Sequence, residues 1–170
     1  MPTIDFRTDL LPLKNKLYRL ALRIVADTVE AEDITEDTLI RVWQKRDELQ
    51  DLRSVEAYCL TVCRHLALDR KALHDSQNAS LDDLDYDAAD AAPNPLDRLV
   101  GTDHLERIRE IFNRLPERQR TLIQLRDIEG LRHSQIAEIM GTTEEAVKVS
   151  ICRARQRMRQ EFEAIENYGL

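Results

Sequence analysis

Three observations predict an all-α protein made of two small helical domains joined by an acidic linker. Apolar residues recur at offsets of three and four along most of the chain, the period of a helix with one buried face. No stretch alternates apolar and polar residues as a half-buried strand would. The segment from Asp75 to Pro95 breaks the helical period with aspartates, alanines, small polar residues and two prolines. Such a composition repels itself and offers few apolar anchors. The expected domains are therefore residues 1–74 and 96–170, with 75–95 as a flexible linker.

The charge distribution supports this division. The 170-residue chain has a net charge of −7, which argues at face value against a nucleic-acid partner. Residues 1–74 carry 12 Lys and Arg against 13 Asp and Glu, and residues 98–170 carry 13 against 12. Residues 75–97 carry seven Asp and no base, so the acidity belongs to the centre of the chain and the two domains are nearly neutral. Three cysteines, an odd number, form no disulfide framework and fit a reducing cytosol. No apolar run approaches a membrane span and the N-terminus lacks a signal-peptide pattern, so a cytoplasmic location without membrane insertion is expected.

In the first domain, Leu10, Leu13, Leu17, Leu20, Ala21 and Ile24 predict an amphipathic helix over about residues 9–26. Asp27-Thr28 breaks it, and a second helix is expected from about Glu30 to Asp47. There Ala31, Thr35, Leu39, Val42 and Trp43 point one way. The opposite ridge reads Asp33, Asp37, Ile40, Gln44. An apolar residue among exposed polar ones marks either a partner surface or a solvated ridge with one stray isoleucine. A third helix is expected from about Ser54 to Leu73, with Val55, Cys59, Val62, Cys63, Leu66 and Leu73 on the buried face. Tyr58, Thr61, Arg64, His65, Leu68 and Lys71 spread over the other face. Cys59 and Cys63 lie four apart near His65, but on the buried stripe while His65 points away. Small core residues, not metal ligands, are the expected role, and no metal site is assigned.

In the second domain the period resumes at Leu96, Leu99, Leu105, Ile108, Ile111 and Phe112. Pro116, expected at the first helical position, opens the next helix, and Gly130 ends it. His133 to Met140 reads as a short helix with Ser134 as N-cap. Gly141-Thr142-Thr143 then turns the chain, and Thr143 caps a longer helix with Glu144 and Glu145 in its first turn. Short helix, glycine turn and longer helix make a helix-turn-helix. In the last helix Val147, Ile151, Ala154 and Met158 form one apolar stripe. Lys148, Arg155 and Arg159 lie along one flank of it, and Arg153 and Arg157 along the other. A helix seated by one face and basic on both sides suits a major groove with phosphates on either side. Cys152 lies on the basic flank as an exposed thiol.

Two sets of residues resemble one family. Glu30-Ala-Glu-Asp-Ile-Thr-Glu-Asp-Thr-Leu-Ile-Arg-Val-Trp-Gln44 resembles the signature of the first domain of bacterial extracytoplasmic-function (ECF) sigma factors. Leu115-Pro-Glu-Arg-Gln-Arg, Leu125-Arg-Asp-Ile-Glu-Gly-Leu131, Gln135-Ile-Ala-Glu-Ile-Met-Gly141 and Ala146-Val-Lys-Val-Ser-Ile-Cys-Arg-Ala-Arg155 resemble the second domain. The resemblance implies a dissociable specificity subunit of core RNA polymerase that recognises the −35 and −10 promoter elements and promotes strand opening. By that analogy Asp33, Asp37, Ile40 and Gln44 dock on the polymerase clamp helices. Tyr58, Thr61, Arg64, His65, Leu68 and Lys71 contact the −10 element and hold a flipped base, with Tyr58 stacking on the opened strand. Thr143, Glu144, Glu145, Lys148, Val149, Cys152, Arg153, Arg155 and Arg159 form the −35 reader.

The resemblance also implies an anti-sigma partner, a nucleoid location when bound to polymerase, and no cofactor, small-molecule substrate or catalytic residue of the chain's own. The chain departs from the family pattern at three places. Tyr58 stands where tryptophan is usual, His65 where asparagine is common, and Lys148-Val149-Ser150 replaces a triplet richer by one base. Glu144 and Glu145 either accept from cytosine N4 or serve the helix dipole. A free-standing helix-turn-helix regulator is the alternative. It accounts for the C-terminal motif and leaves the acidic ridge and the open face of the third helix without a role. An enzyme is disfavoured, since the chain has no glycine-rich phosphate loop and no nucleophile with a base nearby.

Overall fold

Residues 3–49, 52–78 and 103–167 are described by the structure, a computed structural model in which the chain divides into two compact units. Every regular element among the described residues is helical. The N-terminal unit holds α1 (Lys14–Val25), α2 (Thr28–Gln44) and α3 (Val55–Asn78). The C-terminal unit holds almost all of α4 (Asp103–Arg114), α5 (Glu117–Ile123), α6 (His133–Met140) and α7 (Glu144–Asn167).

The first predicted helix is present but broken into three. A π-helical turn at Phe6–Leu10 and a 3-10 turn at Leu11–Leu13 precede α1. Pro12 is responsible, because it lacks the N–H that a regular helix would use. Leu10, Leu17, Leu20, Ala21 and Ile24 are buried as their spacing predicts. Ala26 closes α1 in the left-handed region at φ 55°. Asp27 starts α2, its carboxylate accepting from the N–H groups of Val29 at 2.9 Å and Glu30 at 3.2 Å. The helix therefore begins two residues before the predicted Glu30 and ends at Gln44.

The three helices of this unit pack against one another. Ala31, Ile34, Thr35, Thr38, Leu39 and Val42 of α2 face inward. The buried threonine hydroxyls donate to the carbonyls of Ala31 and Ile34, both at 2.7 Å, so neither is left unsatisfied. Trp43 is half-buried against the edge of Phe6, with ring centroids 5.7 Å apart, and Arg46 lies over its indole at 4.0 Å.

On α3 the predicted buried face is shifted. Ala57, Cys59, Leu60, Cys63 and Ala67 are buried, Val55, Val62 and Leu66 only half so, and Leu73 is 59% exposed. Two helices pack on α3, so its inner face is centred between their two contacts and not on the single stripe a helical wheel supplies. The helix also runs to Asn78, beyond the predicted end at Leu73. Cys63 donates its S–H to the Leu17 carbonyl at 3.3 Å, and burial pushes the thiols of Cys59 and Cys63 up to about 12. Both are inert core residues, and His65 is exposed.

In the C-terminal unit, Phe112, Leu115, Ile123 and Ala154 are buried together with Met158 packed against them, so α4, α5 and α7 share one core. Ile111 and Phe112 are buried, whereas Leu105 and Ile108 remain partly exposed. The predicted anchors Leu96 and Leu99, and all the linker after Asn78, lie outside the described residues. Pro116 occupies the N-cap, one place before the predicted first helical position, in an extended conformation at ψ 147°. After Ile123 the helix widens into a π turn at Gln124–Ile128 and stops at Gly130, whose φ of 73° favours glycine. No helix among the described residues is long and apolar enough to cross a membrane.

Candidate nucleic-acid interface

The helix-turn-helix of α6 and α7 is built by backbone geometry at three points. Before α6, the Leu131 N–H donates to the Leu125 carbonyl at 3.0 Å and Arg126 donates to the Leu131 carbonyl at 2.8 Å. At its start, the Gln135 side chain accepts from the Arg132 N–H at 3.1 Å, half of a capping box. The cap is thus Arg132, and Ser134, predicted in that role, sits exposed in the first turn. At its end, Gly141 at φ 65° lets the Thr142 N–H reach the Ala137 carbonyl at 3.0 Å, a Schellman closure.

Thr143 caps α7 as predicted, its hydroxyl accepting from the Ala146 N–H at 3.1 Å. Val147, Ile151 and Ala154 are buried and seat the helix. Thr143, Glu144, Glu145, Lys148, Val149, Cys152, Arg153, Arg155 and Arg159 are all exposed. Lys148, Arg153 and Arg159 make no ion pair among the described residues. Arg155 does make one. Its Nε donates to Oδ2 of Asp127 at 3.1 Å and its Nη2 to Oδ1, a fork that raises the guanidinium pKa. Arg157 pairs with Glu161 one turn on at 3.4 Å. The imidazole of His133, at the start of α6, is held below its usual range by burial and then by Arg126, Lys148 and Arg155.

On the N-terminal unit, the open side of α3 borders a cleft of about 420 Å³. Tyr58, Val62, His65, Leu66 and Asp69 line it from α3, Arg41 and Val42 from α2, and Lys45 from the C-cap of α2. Tyr58, Arg64, Leu68 and Lys71 are half-buried, His65 is exposed, and Thr61 donates its hydroxyl to the Ala57 carbonyl at 2.7 Å. The bases Arg41 and Lys45 escape a single-helix reading because they come from the neighbouring element. Their signal in the sequence is only a basic end to α2.

The α2 ridge is present with a difference in its charges. Ile40 is 53% exposed and Gln44 is exposed. Asp33 is paired with Arg70 of α3, and Asp37 with Arg41 at 3.4 Å. The ridge is thus less acidic in effect than its sequence suggests.

Comparison with known proteins places these features in one family. The Sigma-70 region 2 model matches residues 12–76 and the Sigma-70, region 4 model matches residues 105–158. The ECF RNA polymerase sigma factor SigL of Mycobacterium tuberculosis is 30% identical over 149 residues, 84% of this chain and 80% of SigL. SigW of Bacillus subtilis is 27% identical over 88% of this chain and 84% of its own. The probable sigma factor RfaY of Xanthomonas campestris is 29% identical over 88% of this chain, which spans 38% of that longer protein. Among solved structures, RpoE in complex with the anti-sigma factor NepR from Bartonella quintana has a TM-score of 0.73 at 25% identity, covering 94% of this chain and 97% of RpoE. CnrH, at 19% identity and a TM-score of 0.65 over 91% of this chain and 85% of its own, shares the fold. With both region models matched in order and SigL aligned over most of both chains, the chain belongs to the sigma-70 family, as an RNA polymerase sigma factor of the ECF type.

Proposed function

We propose that the chain joins core RNA polymerase, reads a −35 element with α7 and a −10 element with the open side of α3, and promotes strand opening between them. The observation that carries this is the seating of α7. Val147, Ile151 and Ala154 hold it down while Lys148 and Arg159 on one flank, and Arg153 on the other, stay exposed. Those cations are the phosphate contacts, with Glu145, Val149 and Cys152 turned toward base edges between them. Thr143 and Glu144 stand at the helix start, beside the first phosphate.

In this assignment residues 1–74 form the polymerase-binding and −10 domain, 75–95 the acidic linker and 96–170 the −35 domain. Tyr58 and His65 offer rings to an unstacked base in a cleft that Arg41 and Lys45 make attractive to a phosphate backbone. Thr61, Arg64, Leu68 and Lys71 extend that surface along α3. The polymerase clamp meets Ile40 and Gln44 at the centre of the α2 ridge. Asp33 and Asp37, already held by Arg70 and Arg41, define its polar rim.

Sigma factors are non-enzymatic initiation factors, and here too the polymerase performs the chemistry. The chain contributes binding energy from two promoter boxes, which offsets the cost of strand separation. RpoE, similar over nearly its whole length, is bound by an anti-sigma factor. A partner of that kind is proposed for this chain, together with a cytoplasmic site of action at the nucleoid.

Run-off transcription with bacterial core polymerase, on DNA from upstream of the chain's own gene, tests the proposal. The expected result is a discrete transcript that depends on the chain. Absence of both a transcript and any binding to core would turn the assignment toward a free-standing regulator.

A further inference from the structure

The Asp127–Arg155 pair joins the π turn before the helix-turn-helix to the middle of α7, across 28 residues of sequence. Both side chains remain substantially exposed, at 39% and 48%. Exposed ion pairs add little to stability, so a fork held at this position calls for another role. The geometry of the fork supplies one. A guanidinium carries five N–H donors in one plane, and Asp127 takes Nε–H and one hydrogen of Nη2. The far edge keeps one hydrogen of Nη2 and one of Nη1, parallel and spaced for a second pair of acceptor oxygens.

We infer that Asp127 is a positioning residue for DNA binding, gripping Arg155 by one edge so that the opposite edge is presented to a backbone phosphate. A phosphate, not a base, is the partner because of where Arg155 stands. It lies roughly 80° around the helix from buried Val147, beside the seating stripe. Base edges would be met by the side opposite that stripe, where Val149 stands. Lys148, on the same flank and exposed, extends the phosphate-facing surface.

The inference rests on the assignment of α7 to DNA, and the test separates the two. A phosphate contact is independent of base sequence, so the full chain is titrated with a labelled mixed-sequence duplex at a series of salt concentrations. Removing a negative charge near DNA would by itself tighten binding. The positioning role predicts the opposite sign for Asp127→Asn. Both Asp127→Asn and Arg155→Ala should weaken binding roughly three- to tenfold and flatten the salt slope by about one. The double variant should bind no worse than Arg155→Ala alone. Asp127→Glu, which keeps the carboxylate, should recover part of the affinity.

Tighter binding by Asp127→Asn with a steeper slope would overturn the inference and make Asp127 a mask for Arg155. Unchanged binding, or a loss that persists undiminished in the Arg155→Ala background, would overturn it as well. A wild-type chain that binds the duplex and is weakened by Lys148→Ala, yet is indifferent to Asp127→Asn, sinks the positioning role alone. A wild-type chain that does not bind, with Lys148→Ala no different, removes the DNA assignment of α7 and this inference with it.

Discussion

The two units use charge in opposite ways. In the N-terminal unit, charges tie one helix to another. Lys16 of α1 reaches Glu56 of α3 at 2.5 Å, and Arg70 of α3 meets Asp33 of α2. In the C-terminal unit, α7 turns Lys148, Arg153 and Arg159 outward, while Arg155 meets Asp127 and Arg157 meets Glu161. A helix bundle that leaves cations unpaired forgoes little, since a surface pair is worth only about 0–1 kcal/mol. Burying one leucine contributes about 1.5–3 kcal/mol. Cores hold both units together, and surface charge is therefore free to be allocated to function.

Four changes would break or sharpen this contrast. The largest effect is expected in the core. Leu20→Ala, at a fully buried position between packed helices, should cost about 2–5 kcal/mol, read as a lower denaturant midpoint. A loss no greater than that of a surface variant would show that the N-terminal unit depends on its ion pairs after all.

Ile40→Asp comes next. With the side chain 53% exposed, it should leave the unfolding midpoint nearly unchanged while weakening capture by core polymerase at least fivefold, about 1 kcal/mol. Unfolding of the chain instead would make Ile40 a core residue and remove the ridge from the proposal.

Thr143→Ala removes the hydroxyl that caps α7 and should cost about 1 kcal/mol. The loss should appear in the C-terminal unit, as faster amide exchange in the first turn of α7. The smallest stability change belongs to Lys148→Ala, within about 0.5 kcal/mol of neutral. Its effect should appear in duplex binding, with the salt slope flatter by about one. A stability loss with an unchanged slope would reverse the roles assigned to the charges of the two units.

Much of this architecture is legible in local sequence. The seating stripe Val147, Ile151, Ala154, the cap Thr143, the turn at Gly141 and the inward face of α1 all follow from interactions within a few residues. Periodicity and capping are properties of such short spans. Misreadings occur where a distant element supplies the deciding contact. Leu73 carries the right spacing for the predicted stripe but lies to one side of the face of α3 that α1 and α2 cover. Ala57, Leu60 and Ala67 fill the face that those helices do cover. Ser134 has capping chemistry, but the chain path from Leu131 places Arg132 at the cap.

The same distinction separates what is known of the charges. Residue order makes α7 basic on both flanks and α2 acidic along one ridge, because the 3.6-residue repeat converts spacing into direction. Tertiary packing decided which of those charges are engaged. Arg70 comes 37 residues after Asp33 and Asp127 comes 28 before Arg155. No periodicity connects residues so far apart. Only the way helices and turns lie against one another brings them within a hydrogen bond.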